Sequence, residues 1–395
     1  MEKKYTIKSV LTLMLFASAL TCLVITLIIV CFYDIKKAPS NSVSEYATLL
    51  DMIGELYIGE YDEYTVNSTA MKAAVESLGD NWSYYMTPDE YANFLDVSNN
   101  RYAGIGVGIV SDEQTGGMIV HYIYRGSPAE TAGIAVGDVI LAIDGEDIKG
   151  YTIDDIRVRL SRPIGETADI MIMHPDGSIA VIVVAYDYVF IDPVSFEMLD
   201  DRIGYIAVMN FDHGAAESFI SAIDELIGQG ARAFVFDVRN NGGGRVVEMT
   251  GMLDYLLPEG EIFITVDRSG EESITRSDAD SIDMPCVVLV DCYSFSAAEY
   301  FAATLREYEY ALVVGEQTTG KSRMQTTYNM PGGGALHIST SQYLTKNRVK
   351  LHDIGGLTPD YQIILTDEEF SLFLSGALEM DDDPQLQQAL SLLSS

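Results

Sequence analysis

Residues 315–322, with the sequence GEQTTGKS, fit the phosphate-binding pattern GxxxxGK[ST] at every position. In such a loop the glycine amides cradle phosphates and the lysine reaches the terminal ones. The loop must also open a helix whose amino terminus faces the phosphates. Residues 323–329 are followed by Pro331 and three glycines, which leaves little room for a helix. Nucleotide binding is therefore the weakest of the functions considered.

Ser296 lies between an apolar, strand-like run at 287–291 and a helix-like run at 297–308. A serine at a strand-to-helix turn is presented at the edge of a sheet, near the unpaired amides of the helix. That position suits a nucleophile. Ordinary helix capping also explains most serines at such turns, so position alone leaves both interpretations open.

A glycine-rich loop, DVRNNGGG at 237–244, follows another strand-like run. Three successive glycines let backbone N–H groups approach a ligand closely. The alternative is a flexible connection between a strand and a helix.

Together the three patterns resemble the C-terminal processing peptidases, or tail-specific proteases. That family combines a DxRxNxGG loop, an SxSAxE nucleophile turn and a TxGKxxxQ segment. The resemblance covers about residues 49–360 and includes LGD…TPDEY and GLTPD. The sequence departs from the family at Ser322, where glycine is usual, at Gly242, where proline is common, and at 345–348, where a TPxG turn is usual. These departures affect loop shape and substrate preference.

The resemblance implies a serine endopeptidase with a Ser-Lys dyad. Ser296 is then the nucleophile, Lys321 the general base and Gln325 the residue that orients the lysine. The amides of Gly243 and Ala297 would form the oxyanion hole. No metal or cofactor is implied. Proteins or peptides with free C-termini are the expected substrates, and a homodimer is left open.

Lysine can act as a base only when it is neutral. Its pKa must fall from about 10.4 toward about 7–8, which costs roughly 3–4 kcal/mol and which burial can supply. Gln325 could hold the amine without adding a negative charge that would raise this pKa. The rival base is histidine, but none of the five histidines lies in a recognisable catalytic motif, and the sequence has no GxSxG.

Residues 102–187 have the character of a small β-domain. Strand-like runs at 118–124 and 139–143 flank SPAETAG, which predicts a capped short helix ending at Gly133. The order of a glycine loop, SPAETAGI and GDVILAIDG resembles a PDZ domain, which binds an extended peptide by strand addition. Gly104, Ile105 and Gly106 would be its carboxylate-binding loop. The alternative is a β-domain with a glycine turn.

The remaining segments predict an α/β multi-domain protein. An amino-terminal tail and transmembrane helix (1–34) are followed by a linker and helical segment (35–101). The PDZ-like β-domain (102–187) precedes an α/β peptidase core (188–365), and an acidic helical tail follows (366–395). In the core, strand-like runs at 203–209, 233–238, 287–291 and 311–314 alternate with helix-like runs at 215–227, 246–257 and 297–308.

Residues 9–33 contain no charged side chain, and three lysines precede them. This length predicts a single-pass anchor in the cell membrane, with the catalytic part outside the cytoplasm. Cleavage as a signal peptide at Ala17-Ser18-Ala19 is the alternative, but the apolar run continues well past that triplet.

The net charge of −35 excludes a generic nucleic-acid binder, because phosphate contacts need clustered cations. The runner-up to the peptidase is a PDZ adaptor with a degenerate peptidase domain.

Overall fold

The computed structural model describes Thr21 and residues 41–394. The chain divides into two compact units, residues 1–67 and 68–395. Within the described residues, none of the helices combines the length and apolar character that crossing a membrane requires. The anchor predicted at 9–33 lies outside the described residues, apart from Thr21.

The segment before the β-domain is mainly helical, as predicted. Its elements are α1 (Asn41–Leu56), α2 (Glu63–Glu76), β1 (Tyr84–Met86) and α3 (Pro88–Ser98). The capping box at the start of α3 is present, because the Thr87 hydroxyl accepts from the amide of Glu90 and the Glu90 carboxylate accepts from the amide of Thr87. β1 pairs with a strand near residue 337, which joins residues 84–86 to the peptidase core.

The β-domain contains β2 (Arg101–Gly104), β3 (Val107–Ser111), β4 (Met118–Ile123), α4 (Pro128–Ala132), β5 (Val139–Ile143), β6 (Glu146–Asp147), α5 (Ile153–Arg159), β7 (Thr167–Met173), β8 (Ile179–Ala185) and β9 (Asp187–Phe190). Its main sheet has the order β3-β4-β5-β7-β8, and β2 pairs with β9. The predicted short helix is confirmed: Ser127 caps α4, and Gly133 ends it at φ 94°.

The peptidase core alternates strands and helices as predicted. Its elements are β10 (Val194–Met198), β11 (Ile203–Val208), α6 (Ala215–Gly228), β12 (Ala233–Asp237), α7 (Val246–Leu256), β13 (Gly260–Asp267), β14 (Glu272–Ser277), β15 (Cys286–Val290), α8 (Ala297–Glu307), β16 (Ala311–Gly315), β17 (Arg323–Asn329), β18 (Ala335–Leu344), β19 (Tyr361–Gln362), α9 (Asp367–Ser375) and α10 (Pro384–Leu393).

The main sheet of the core has the order β10-β11-β12-β15-β16-β19. All neighbours from β11 onward are parallel, and β10 is antiparallel at one edge. β12 and β15 are buried along their whole length, as continuous apolar runs in a parallel sheet require. α6, α7 and α8 supply the core on one face, while Leu386 and Ala389 of α10 pack on the other. The last helix of the chain is thus packed against the sheet.

A second sheet consists of β1-β18-β13-β14, with β17 paired to β18. The sequence analysis did not identify this sheet. Its strands mix polar and apolar residues, and β17 has no buried residue. The sheet matters for function because β17 and β18 form the hairpin that follows Lys321.

Candidate active site

The two loops that carry the candidate nucleophile and oxyanion groups lie side by side. β12 and β15 are adjacent and parallel, so the segments after them leave the same edge of the sheet. The buried hydroxyl of Ser294 joins the two loops, donating to the Val238 carbonyl at 2.7 Å and accepting from the Asp291 amide at 3.0 Å. The Asp291 carboxylate accepts from the Asn240 amide at 2.9 Å. These bonds fix the glycine loop relative to the nucleophile turn.

Ser296 begins α8 in a strained backbone conformation. Its φ is 60° and its ψ is −119°, a combination that L-residues rarely adopt and that costs about 1–3 kcal/mol. A Glu299 carboxylate oxygen accepts from the Ser296 amide at 3.0 Å. Such strain at a strand-to-helix turn favours the nucleophile over an ordinary cap, since helix capping needs only the extended conformation of Thr87 or Ser127.

Lys321 lies in the loop between β16 and β17, which opens a strand and no helix. A phosphate-binding loop must be followed by a helix, so the strand found here argues against nucleotide binding. Lys321 lines a cavity of about 730 Å³, and the other four residues predicted for the active site, Ser296, Gln325, Gly243 and Ala297, line it too. Residues separated by up to 82 positions in the sequence are thus brought together at one cavity.

The electrostatics of Lys321 suit a base. Burial lowers its pKa to about 8, although the negative charges of Glu299 and Asp80 oppose that effect. At pH 8 a substantial fraction of the amine is therefore neutral. Although two carboxylates lie near the amine, burial outweighs them.

Glu299 is the main residue that sequence reasoning missed. It is fully buried, and its carboxylate accepts four hydrogen bonds, from the amides of Ser296, Gly320 and Lys321 and from the hydroxyl of Thr318, at 2.6–3.0 Å. Burial raises its pKa, and these bonds act in the opposite direction. Glu299 thus links the nucleophile turn to the lysine loop. The SxSAxE pattern contained the signal, because a glutamate at the third position of a buried helix needs partners.

Gln325 lines the cavity but does not have the contact expected of it. Its side-chain nitrogen donates to the carbonyl of Arg323 and to the hydroxyl of Ser339, both at 2.9 Å. No hydrogen bond from Gln325 to the Lys321 amine is present in the described part of the chain. The β-hairpin, which the sequence did not reveal, determines where this side chain points.

The candidate oxyanion donors lie next to the serine. A methyl group added to Gly243 would lie 2.8 Å from Ser296 Cβ and 2.9 Å from the Ala297 nitrogen, so only glycine allows this approach. The Gly243 amide donates to Asn241 Oδ1 at 2.8 Å and must exchange that bond to reach a substrate. The Ala297 amide is at the first position of α8, where N–H groups lack intrahelical partners.

The rest of the cavity wall is largely apolar, with Val246, Met249, Phe263 and Met324 among its residues. His337 also lines it and stacks on Tyr84, with ring centroids 4.8 Å apart. Burial, assisted by the charge of Lys321, lowers the pKa of His337 to about 4, so the imidazole is neutral at pH 7. Extended apolar peptides fit such a wall.

A second cavity, of about 460 Å³, lies in the β-domain and includes Gly104, Ile105 and Gly106. Gly106 has φ 79°, and a Cβ there would lie 2.3 Å from Ser127 Cβ. The loop therefore requires glycine and closes tightly over α4. Residues 104–106, which the resemblance predicts to bind a carboxylate, thus line this cavity.

Comparison with known proteins supports both regions. The family described as peptidase family S41 matches residues 202–363, and the PDZ domain family matches residues 119–170. A carboxyl-terminal-processing protease from Synechocystis sp. is 29% identical over 82% of this chain and 76% of its own length. One from Picosynechococcus sp. is 30% identical over 80% of this chain and 76% of its own length.

Among solved structures, an S41 protease candidate from Bacteroides fragilis matches with a TM-score of 0.52 at 18% identity. The match covers 86% of this chain and 92% of that one. This likeness supports the fold.

Proposed function

Because the chain belongs to peptidase family S41 and is a carboxyl-terminal-processing serine peptidase, we propose that it cleaves exported proteins near their C-termini by a dyad of Ser296 and Lys321. The observation that carries the proposal is the shared cavity of these two residues, in which burial lowers the lysine pKa to about 8. Among the residues that the structure describes, Lys321 is the one lysine that lines that cavity.

The chemistry proceeds in two halves. The neutral Lys321 amine takes the proton of Ser296 as its Oγ attacks the scissile carbonyl carbon, and the Ala297 and Gly243 amides stabilise the oxyanion. The intermediate collapses, the C–N bond breaks, and the lysine ammonium gives its proton to the leaving amine. Lys321 then removes a proton from water as the water oxygen attacks the acyl carbon. The bond between that carbon and Ser296 Oγ breaks, the lysine ammonium returns its proton to Oγ, and the product leaves with a new carboxyl group.

Glu299 contributes to the proposed reaction by holding the backbone of both dyad residues in place. Its carboxylate holds the backbone on both sides of the dyad, at the amides of Ser296 and Lys321. Because it also favours the lysine ammonium, it stabilises the charge that appears during proton transfer. Gln325 can take part in substrate binding from its place on the cavity wall.

The proposal also includes a membrane anchor at residues 9–33. Its support is the uncharged run at 9–33 and the lysines before it, which favour a cell-membrane protein with its catalytic part outside the cytoplasm. Cell fractionation combined with protease accessibility of the intact cells tests this. A protein recovered entirely in the soluble cytoplasmic fraction would contradict the anchor and leave the enzyme proposal intact.

The enzyme proposal is tested by cleavage of casein and of peptides by residues 40–395, beside the matched variants Ser296→Ala and Lys321→Ala. Cleavage by the unaltered protein and none by either variant is the expected result. An adaptor with a degenerate peptidase domain would cleave nothing in any form. A protein that binds nucleotide triphosphate tightly and cleaves no peptide would favour the phosphate-loop alternative.

A further inference from the structure

Trp82 is the single tryptophan of the chain and lies in the turn between α2 and β1. The Lys321 Nζ is 4.4 Å from the centroid of its ring. The same ring packs against Phe295, with centroids 5.5 Å apart. Phe295 directly precedes Ser296 in the sequence. One indole thus contacts both the candidate base and the turn that carries the nucleophile.

The position of Trp82 does not depend on the lysine. The Asp80 carboxylate accepts from the Ser83 hydroxyl at 2.5 Å and forms an ion pair with Arg323 at 3.0 Å. The Ser83 hydroxyl accepts from the Ser339 amide at 3.0 Å. These contacts fasten both sides of Trp82 to the hairpin of β17 and β18. The chain on either side of Trp82 is therefore held by contacts that do not involve the lysine, and the ring itself also packs against Phe295.

Trp82 and Lys321 line different cavities. Lys321 lines the catalytic cavity, whereas Trp82 lines a smaller one of about 290 Å³ together with Lys350 and His352. The indole face lies against the amine, so replacing the ring by a methyl group would expose that side of the lysine to solvent. An aromatic ring covers the amine while offering no strong hydrogen-bond acceptor to the ammonium.

We propose that Trp82 is a positioning residue for the base, whose indole face shields the Lys321 amine from water and stabilises the ammonium formed when it takes the Ser296 proton. This rests on the dyad proposed above. Exclusion of water favours the neutral amine before reaction, because burial penalises a charge. The π-face also attracts the ammonium, an effect that raises the lysine pKa and opposes the shielding. We expect the shielding to be the larger of the two, because burial is the dominant influence on the pKa of Lys321.

The charged and titratable groups around the amine agree with this role. Glu299 from α8 and Asp80 from the turn favour the ammonium, and His337 from β18 is neutral at pH 7. Tyr343, also from β18, has a pKa raised by burial and stays neutral. Against two carboxylates, burial alone lowers the pKa of Lys321 to about 8. Trp82 contributes directly to that burial.

The first experiment uses Trp82 as its own reporter and needs no proteolysis. The emission of the single tryptophan is titrated from about pH 6 to about pH 10 in Ser296→Ala, with and without Lys321→Met. We expect a step with a midpoint near pH 8 in the first protein and none in the second. Identical titrations of the two proteins would overturn the proposed contact, whether or not the protein is a protease.

The second experiment measures kcat/KM against pH for Trp82→Ala and Trp82→Phe, with Tyr84→Ala as an aromatic control from the same segment. In Trp82→Ala the rising limb should move about one pH unit upward, which lowers activity at pH 7 about tenfold. Trp82→Phe, which keeps a ring, and Tyr84→Ala should keep the original midpoint. A Trp82→Ala profile superimposable on the wild type would overturn the role.

Failure of the two proposals can be told apart. A fluorescence step near pH 8 in a protein that cleaves nothing supports the contact and contradicts the peptidase dyad. An active enzyme that requires Lys321 but shows no lysine-dependent step supports the dyad and overturns the role of Trp82. If Trp82→Ala does not fold, the fluorescence comparison still decides, since it leaves Trp82 in place.

Discussion

The catalytic cavity and the second cavity, in the PDZ region, differ in the groups that line them. In the catalytic cavity, burial lowers the pKa of the Lys321 amine, and the nearby carboxylate of Glu299 raises it. In the PDZ cleft, the loop at 104–106 offers backbone groups whose geometry depends on glycine at φ 79°. The first site should therefore respond strongly to pH and charge, and the second mainly to loop shape and the peptide terminus.

The largest expected difference between the two sites comes from removing the dyad. Ser296→Ala and Lys321→Met should each lower kcat by about 10⁴-fold or more, since neither the nucleophile nor its base has a substitute. Binding of a labelled peptide with a free C-terminus to the PDZ region should not change in either variant. Full activity in Lys321→Met would contradict the proposed Ser296–Lys321 dyad.

Glu299→Gln should give the next largest effect. Whichever carboxylate oxygen becomes an NH₂ group, two of the four donors lose their acceptor, so the backbone at Ser296 or at Gly320 shifts. We expect kcat to fall about 10²-fold, with KM and PDZ peptide binding little changed. Glu299→Asp, which keeps the charge with a shorter side chain, is the matched control and should retain more activity. Equal activity of wild type and Glu299→Gln would contradict the positioning role.

The pH dependence should separate the two sites further. Activity should rise with pH through a midpoint near 8, the pKa of Lys321, because only the neutral amine accepts a proton. Peptide binding by the PDZ region should not follow that midpoint. Steady loss of activity from about pH 6 to about pH 9 would contradict the lysine base.

Stability should change with pH in the same window. The pKa of Lys321 is lower in the folded protein than the usual lysine value of about 10.4, so the unfolded chain binds more protons between about pH 8 and pH 10. The free energy of unfolding should therefore rise with pH there. At pH 7, Lys321→Met should unfold at a higher temperature than wild type, by a few degrees, as calorimetry can measure. An equal or lower unfolding temperature would argue against a buried ammonium.

The smallest effect is expected from the PDZ region. A peptide with a free carboxyl terminus should be cleaved about tenfold faster, as kcat/KM, than its amidated counterpart, because loop amides bind a carboxylate. Deletion of residues 102–187 separates two roles for this region: a gate predicts higher basal cleavage and no preference, a tether predicts lower activity. Equal cleavage of both peptides by wild type would exclude tail recognition there.

The sequence predicted the elements that obey simple patterns. The buried parallel strands β12 and β15 were visible as apolar runs, and the SPAETAG segment marked both ends of a short helix. These features are local, so a few neighbouring residues suffice to reveal them. The three catalytic patterns were visible through the resemblance, and the structure brings their residues to one cavity.

Contacts between distant segments were not predictable in this way. The β17–β18 hairpin places Gln325 against Ser339 instead of the lysine, and β1 brings Trp82 to Lys321 across more than 230 residues of chain. The role of Glu299 depends on two separate segments, the nucleophile turn and the lysine loop, converging on one carboxylate. Nothing in periodicity or composition encodes such convergence, because each partner is an ordinary backbone amide or a common side chain.

The glycine loop at 237–244 depends on contacts with residues near the end of the chain, so it can be completed only after those residues have folded. Arg239, four residues before Gly243, is almost fully buried and forms ion pairs with Asp237 and Asp383, while its guanidinium donates to Gln385 at 2.9 Å. A buried guanidinium that lacks part of its partners is costly, so the loop is secured only after residues made 144 positions later have folded onto the sheet. Before the residues from Asp383 onward have been synthesised, the glycine loop would therefore lack the contacts that fix its conformation. The enzyme would gain full activity only when its own late helix arrives, and a chain ending before Asp383 should remain poorly active.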